Sequence, residues 1–273
     1  MVESYNIYPK RRNLFLGGSR ITNQLILVNI LVFIITLVLL TIYGEQFVLN
    51  NLALTPFLIL SGKNLWTFLT SMFVHATFFH IFANMFSLFF IGNFLEKIIG
   101  KKRFFWVYII SGLVGGVFFV LSGFLFNNNS PGVGASGAIF GLLGVLAVLV
   151  PFSKIYLIAG PLVVIIAEVV LTPFLQGNLA SVFSIIFNIL IFVMIFAVFS
   201  WDSRIRKIAI PLELPMWLLP IIAIIPLVII GFLVPLPIGN SAHLGGLVVG
   251  LVYGFYLKKK YPQKTKYISR HFS

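Results

Sequence analysis

The sequence predicts an all-α protein, built as a polytopic bundle of transmembrane helices. Of its 273 residues, 60% are hydrophobic and 9% are charged, whereas about 25% of the residues in soluble proteins are charged. Its apolar runs are close to the length of about 20 residues that a helix needs to cross a bilayer. Because these runs are continuous and do not alternate in polarity, they predict helices rather than barrel strands.

The apolar runs indicate about eight spans in one membrane domain, residues 24–257. The spans are predicted at residues 24–43, 72–95, 104–126, 132–150, 155–175, 181–199, 212–235 and 238–257. A basic N-terminus, 1–23, and a basic tail, 258–273, flank the domain. Both flanks are too short for a hydrophobic core of their own.

The positive charges that give the chain its net charge of +13 lie mostly on one side of the predicted spans. If the N-terminus is cytoplasmic, all the lysines and arginines except Lys63 fall on the cytoplasmic side of the predicted spans. This bias places both termini in the cytoplasm and favours contact with anionic membrane lipids. Nucleic acid is not an expected partner, because no basic module with interleaved aromatic residues accompanies the charge.

The residues able to carry chemistry are few. The chain has no cysteine and four histidines, so disulfides and thiolate chemistry are excluded, and we predict no metal and no cofactor. Counting inward from the charged flanks puts Ser136, His243 and His80 at one depth on three separate spans, with Asn84 one turn lower. Polar groups inside a bilayer are functional candidates.

Small residues predict which of these spans lie together. One helical face carries Gly137, Gly141 and Gly144, and another carries His243, Gly246, Gly250 and Gly254. Such faces let membrane helices approach closely, which would put a nucleophile, Ser136, beside a base, His243. Two alternatives stay open: the glycines serve packing alone, and the serine and histidine bond the backbone or bridge helices.

Four segments resemble the rhomboid family of intramembrane serine proteases. They are "HATFFHIFAN" at 75–84, "GNFLEKIIGKKRFFWVYIISG" at 92–112, "GASG" at 134–137 and "AHLGGLVVG" at 242–250. The resemblance implies a six-helix core in which Ser136 attacks the scissile carbonyl and His243 acts as base and then acid. It further implies that His80, Asn84 and the Ser136 amide stabilise the oxyanion.

The resemblance assigns supporting roles to other residues. Phe140 would pack against the imidazole, and His75 would tie the outer loop to the bundle. Glycines 134, 137, 246 and 250 would shape the site. No acidic residue lies at matching depth on these helices, so a Ser-His dyad is expected rather than a triad. Residues 52–66 are expected to form a membrane-embedded loop broken at Pro56 and Gly62.

The chain departs from the six-helix pattern between its two predicted catalytic helices. His243 follows Ser136 by 107 positions, which leaves room for three spans where the six-helix relatives have one. We therefore expect an inserted helical hairpin at 155–199. Within it, Glu168 either bonds a neighbouring group, pairs with Asn188 or faces a substrate.

The resemblance implies a protease that cuts transmembrane segments of other proteins near the outer face of the bilayer. The plasma membrane of a prokaryote is the expected location. Two other functions stay open: a membrane transporter, although the sequence has no pair of symmetry-related broken helices, and a catalytically inactive rhomboid-like protein that binds membrane clients. The sequence predicts neither the oligomeric state nor the physiological substrate.

Overall fold

The protein is described by a computed structural model that covers residues 20–175, 177–233 and 239–272. Helices dominate this part of the chain. The α-helices are α1 (Ile21–Tyr43), α2 (Glu45–Leu52), α3 (Pro56–Leu60), α4 (Thr67–Thr70), α5 (Phe78–Ser87), α6 (Asn93–Ile99), α7 (Lys101–Leu125), α8 (Ser136–Leu149), α9 (Ala159–Leu171), α10 (Asn178–Ala197), α11 (Ser203–Ile208), α12 (Leu219–Leu233), α13 (Asn240–Lys260) and α14 (Pro262–His271). A π-helical turn, Leu88–Gly92, joins α5 to α6.

Four helical segments in the described residues are long and apolar enough to cross a membrane. They are Ile21–Tyr43, Phe78–Ile99, Lys101–Leu125 and Asn178–Ala197. Shorter apolar helices cover Ser136–Leu149, Ala159–Glu168 and Met216–Ile225. The polytopic helical architecture is therefore confirmed, whereas the count of eight spans and the cytoplasmic termini stay predictions. Residues 1–19 of the predicted N-terminus, 234, 235 and 238 of the predicted spans, and 273 of the tail lie outside the described part.

The prediction of an all-α chain is wrong at one place, a small two-stranded sheet. Strand β1 (Lys154–Ile158) pairs antiparallel with β2 (Pro211–Pro215), so that Ile158 lies opposite Pro211. The spans predicted at 155–175 and 212–235 therefore both begin as strands. Hydropathy does not reveal this, because each strand runs directly into a longer apolar helix. The β-branched and aromatic residues in "KIYLI" favour the strand, and prolines are tolerated at strand ends.

An ion pair joins the two strands at their exposed side. Lys154 Nζ lies 2.5 Å from a carboxylate oxygen of Glu213. Hydrogen bonding and charge attraction between the two groups lower the pKa of the Glu213 carboxyl and raise the pKa of the Lys154 ammonium. Both side chains are solvent-exposed, so the pair marks where the strands meet and adds little stability.

The core is built where α7, α8 and α13 pack together. Its largest fully buried side chains include Phe104 and Tyr108 of α7 and Leu142 and Leu146 of α8. The glycine faces predicted for α8 and α13 do face each other. A Cβ at Gly246 would clash with the carbonyl of Gly137, and one at Gly250 would clash with the carbonyl of Gly141. The two backbones are therefore in direct contact, which larger residues would prevent.

Helix α1 is held to this core through a buried carboxylate. Glu96, only 5% exposed, accepts hydrogen bonds from the backbone amides of Ile21 and Thr22 at 3.0 and 2.8 Å and from the Thr22 hydroxyl at 2.7 Å. Glu96 therefore caps the start of α1. It does not pair with Arg103, which donates to the Tyr261 hydroxyl at 3.0 Å.

The predicted loop at 52–66 is indeed broken at Pro56 and Gly62. Helix α3 begins at Pro56, and Gly62 has a φ of +75°, a conformation that favours glycine. Leu54 exchanges two 2.9 Å backbone hydrogen bonds with Gly132, and Asn129 accepts from the Phe57 amide at 2.9 Å. These bonds fix the loop against the segment that leads into α8. Entry of this loop into the membrane stays a prediction.

The hairpin of α9 and α10 packs against α5 through phenylalanine rings. The Phe192 ring centroid lies 4.7 Å from that of Phe79 and 5.6 Å from that of Phe82. Phe199 contacts Phe86 and Phe90 at centroid distances of 6.3 and 6.5 Å. The hairpin thus covers the outer face of the helix that carries His80 and Asn84.

Within the hairpin, Glu168 bonds a neighbouring group. Its carboxyl accepts a hydrogen bond from the Ser184 hydroxyl, which links α9 to α10. Asn188 donates instead to the Ser184 carbonyl at 2.7 Å. Of the readings left open by the sequence, the bond to a neighbour is therefore the one observed.

Most of the predicted basic tail forms a helix that packs on the bundle. After α13 ends at Lys260, helix α14 turns back against the bundle, and Phe272 meets the ring of Phe94 edge-on with centroids 5.1 Å apart. Thr265 is buried on the inner side of α14. The tail is therefore partly a docked amphipathic helix, because its few apolar residues recur at helical spacing.

Candidate active site

Ser136 is the first residue of α8, at the end of the bundle that we call the serine end. Two residues earlier, Gly134 has a φ of +125°, which a residue with a Cβ rarely adopts. The Gly134 amide donates to the Ser71 carbonyl at 2.8 Å. This bond and the turn at Gly134 fix the direction in which the chain enters α8. Ser136 therefore lies in the first turn of α8, where the helix dipole is positive.

His243 lies in the first turn of α13 and contacts Ser136 directly. Its Nε2 is 2.7 Å from Ser136 Oγ, within hydrogen-bond distance. The side chain is buried, with 7% of its surface exposed. The sequence therefore correctly predicted that these two residues meet, 107 positions apart in the chain.

The other ring nitrogen of His243, Nδ1, is buried and has no hydrogen-bond partner among the described residues. The Phe140 ring instead stacks on the imidazole, with centroids 4.5 Å apart and planes inclined by 19°. Stacking restricts rotation of the ring, a role that an acidic residue has in triads. The predicted packing of Phe140 against the imidazole is therefore observed.

His80 and Asn84 approach the same site from α5. The helix begins at Phe78, so His80 also lies in a first turn, and its amide donates to the Thr77 hydroxyl at 3.1 Å. A Cβ at Gly134 would lie 2.7 Å from His80 Nε2 and 3.9 Å from Asn84 Nδ2. Both polar groups therefore face the backbone just before Ser136. One N–H of the Asn84 amide is used by the His80 carbonyl, at 2.9 Å.

His75 stands behind His80. It is 2% exposed, its Nδ1 lies 3.2 Å from the Phe73 carbonyl, and its ring meets the His80 ring edge-on with centroids 5.0 Å apart. It therefore supports the His80 ring from the loop that precedes α5. In the described part of the chain, no group of three or more potential metal-ligating side chains comes together.

Sequence reasoning missed the groups that hold the site from the backbone. The Ser71 carbonyl fixes Gly134, and the Ala242 carbonyl packs against the helix that precedes the site: a Cβ at Gly115 of α7 would lie 2.7 Å from it. Backbone carbonyls carry no signature in residue type, so the sequence signals them only through the small residues opposite them, such as Gly115.

The chain is similar to known proteins over the segments that build this site. A family model described as the Rhomboid domain matches residues 62–188 and 184–260. RHOMBOID-like protein 1 of Arabidopsis thaliana is 43% identical over 94 residues, which are 34% of this chain and 23% of the relative. RHOMBOID-like protein 2 of the same plant is 48% identical over 77 residues, 28% of this chain and 23% of the relative.

A third relative carries the word Inactive in its name. Inactive RHOMBOID-like protein 8 of Arabidopsis thaliana is 36% identical over 85 residues, 31% of this chain and 23% of that protein. The match therefore spans less than a quarter of each of these three relatives. The family model, in contrast, matches well over half of this chain and includes Ser136 and His243. With its apolar helices, the protein is an integral membrane protein, and it belongs to the rhomboid family.

Proposed function

We propose that this protein is an intramembrane serine endopeptidase that uses Ser136 and His243 as a dyad. The observation that carries the proposal is the 2.7 Å contact between His243 Nε2 and Ser136 Oγ in a buried site. A serine hydroxyl is a weak nucleophile until an adjacent base accepts its proton. A buried pair at this distance is suited to that transfer.

The proposed reaction begins when Ser136 Oγ attacks the carbonyl carbon of a peptide bond. His243 Nε2 accepts the hydroxyl proton and later delivers it to the leaving amine, which yields an acyl-enzyme. Water then attacks the acyl carbon while His243 Nε2 accepts its proton; the bond to Ser136 Oγ breaks, His243 returns the proton to Oγ, and the carboxylic acid product leaves. The tautomer required at the start has the proton on Nδ1 and a free lone pair on Nε2.

The negative charge of the tetrahedral intermediate needs donors close to Ser136. We assign this role to the side chains of His80 and Asn84 and to the Ser136 amide. The two side chains face Gly134, which precedes Ser136 by two positions. The first turn of α8 adds the positive end of a helix dipole. Donors fixed in a dry site stabilise an oxyanion without reorganisation.

The proposed substrates are transmembrane segments of other membrane proteins, cut near the serine end of the bundle. A helix hides its carbonyls in internal hydrogen bonds, so a substrate must unwind locally before Ser136 reaches one. This requirement favours segments with unstable helices and small residues near the cut, as the family resemblance implies. We expect the site in the plasma membrane of a prokaryote, with the serine end at the outer face.

A catalytically inactive, client-binding role is the competing function. One similar relative carries the word Inactive in its name, so family membership alone does not establish catalysis. Against this role stand the two dyad residues in contact and the stacked Phe140. A protein that only binds clients does not need a base within 2.7 Å of a hydroxyl.

Replacing either dyad residue should abolish cleavage. We expect Ser136→Ala and His243→Ala each to bring turnover of a reconstituted transmembrane substrate below detection, because loss of nucleophile or base costs a serine protease about 10⁶ in turnover. Ser130→Ala, at an exposed turn, and His271→Ala, exposed on α14, serve as matched controls. Full turnover by a correctly folded Ser136→Ala protein would refute the protease assignment.

The oxyanion donors should matter less than the dyad. His80→Ala and Asn84→Ala should each reduce turnover by about 10² to 10³ without abolishing it. The measurement is kcat in liposomes, with thermal melting to separate catalysis from folding. If both variants keep wild-type kcat, these residues serve helix packing and the oxyanion role is wrong.

Removing the hairpin should leave measurable cleavage. Ile158 lies opposite Pro211 in the sheet, so a two-residue Asn-Gly turn can replace residues 159–210 and close a β-hairpin. The dyad and its donors lie outside this segment, and both ends stay on the same side of the membrane. We expect altered substrate choice, because the hairpin covers α5.

The matched control for this deletion is Phe192→Ala, which removes the main ring contact to α5 but keeps the hairpin. Cleavage of several substrates is compared between the two variants after thermal melting has verified folding. A folded deletion protein without any activity would show that the hairpin belongs to the catalytic architecture.

A further inference from the structure

The end of the bundle opposite Ser136 carries a cleft between α7, α13 and α14, which we call the basic cleft. Its floor is apolar and includes Ile99, Leu149 and Leu257. Arg103, Tyr261 and Lys264 line its rim. The cleft is separate from the proposed catalytic site, since α13 carries His243 at its first turn and reaches the cleft only at its last.

Cations surround one aromatic ring at the rim. Arg103 donates to the Tyr261 hydroxyl at 3.0 Å, and its guanidinium carbon lies 5.0 Å from the centre of that ring. Lys260 Nζ lies 5.8 Å from the same ring centre and donates to the Tyr256 hydroxyl at 2.8 Å. Lys264 follows on the first turn of α14. Three positive charges are therefore held within a small region, two of them oriented by tyrosines.

The described residues supply no acidic group to balance these charges. The ion pairs in the described part of the chain are Lys154 with Glu213 and Arg204 with Asp202, both outside the cleft. Glu96 is the acidic residue nearest to Arg103 in sequence, but its two oxygens are turned to the start of α1. The first turns of α7 and α14, which also lie here, contain no acidic residue.

We propose that the basic cleft binds the phosphate of an anionic phospholipid from the adjacent leaflet. The phosphodiester would lie between Arg103 and Lys264 at the rim, and the acyl chains would extend along the exposed apolar side chains of α7, such as Trp106 and Ile110. Basic pockets between membrane helices recognise anionic headgroups in this manner. The proposal commits to a lipid, because Arg103 lies in the first turn of α7, a helix long and apolar enough to cross a membrane, so the headgroups of a leaflet would lie beside the cleft.

The site would also explain why α14 docks. A bound phosphate links Arg103 at the start of α7 to Lys264 on α14, and it removes the repulsion between cations that are brought together by docking. Anionic lipid should therefore stabilise the docked helix as well as fill the cleft. This role is independent of catalysis and holds even if the proposed protease function fails.

Native mass spectrometry of the full chain tests the proposal with defined lipids. Purified protein is mixed with phosphatidylglycerol or phosphatidylcholine, and the retained lipid is counted. We expect one phosphatidylglycerol to be retained in preference, and Arg103→Gln and Lys264→Gln each to lower its affinity about fivefold. Lys266→Gln, exposed on the same helix but outside the cleft, should leave the affinity unchanged.

Each other outcome overturns the proposal. An equal loss for Lys266→Gln would mean diffuse attraction to surface charge. Displacement of the lipid by inorganic phosphate at equal concentration would mean an anion site without lipid recognition. Equal retention of phosphatidylcholine would remove the role of the cations. Lys264 is an exposed side chain, so Lys264→Gln keeps the test valid even if Arg103→Gln impairs folding.

Discussion

The direct backbone contact between α8 and α13 is the constraint on which the site depends. Gly246 meets the carbonyl of Gly137, and Gly250 meets that of Gly141, at separations that leave no room for a Cβ. In a membrane the lipid is as apolar as the helices, so close packing rather than hydrophobic burial holds such a pair together. The same contact fixes His243 Nε2 at 2.7 Å from Ser136 Oγ. Packing and proposed chemistry therefore rest on the same glycines.

Three polar residues of the site each lie in the first turn of a helix. His80 follows the start of α5, Ser136 begins α8, and His243 completes the first turn of α13. First turns present unpaired amides and positive dipole ends, and three of them converge here. Such a layer suits a developing negative charge, and the glycine turn at Gly134 leaves space for the His80 ring.

Much of this site could be predicted from residue pattern, because depth and small-residue spacing are periodic properties of a helix. The glycine faces predicted the meeting of Ser136 and His243, and the resemblance to the rhomboid family implied the packing of Phe140 on the imidazole; both contacts are observed. The sheet of β1 and β2 was not predicted, since "KIYLI" and "PLELP" lie at the edges of longer apolar runs and their pairing joins residues far apart in sequence. The sequence also did not predict the contact of Phe192 with α5 or the docking of α14, for a related reason. Tertiary contacts decide which apolar face of a helix finds a partner, and periodicity alone does not name that partner.

Covalent labelling of Ser136 is the most direct measurement of the central claim, that His243 activates this hydroxyl. The purified protein is treated with a fluorophosphonate, and the modified residue is located by mass spectrometry of its peptides. We expect one adduct, on Ser136, and its loss in folded His243→Ala protein. An adduct on another serine, or unchanged labelling of Ser136 without His243, would contradict it.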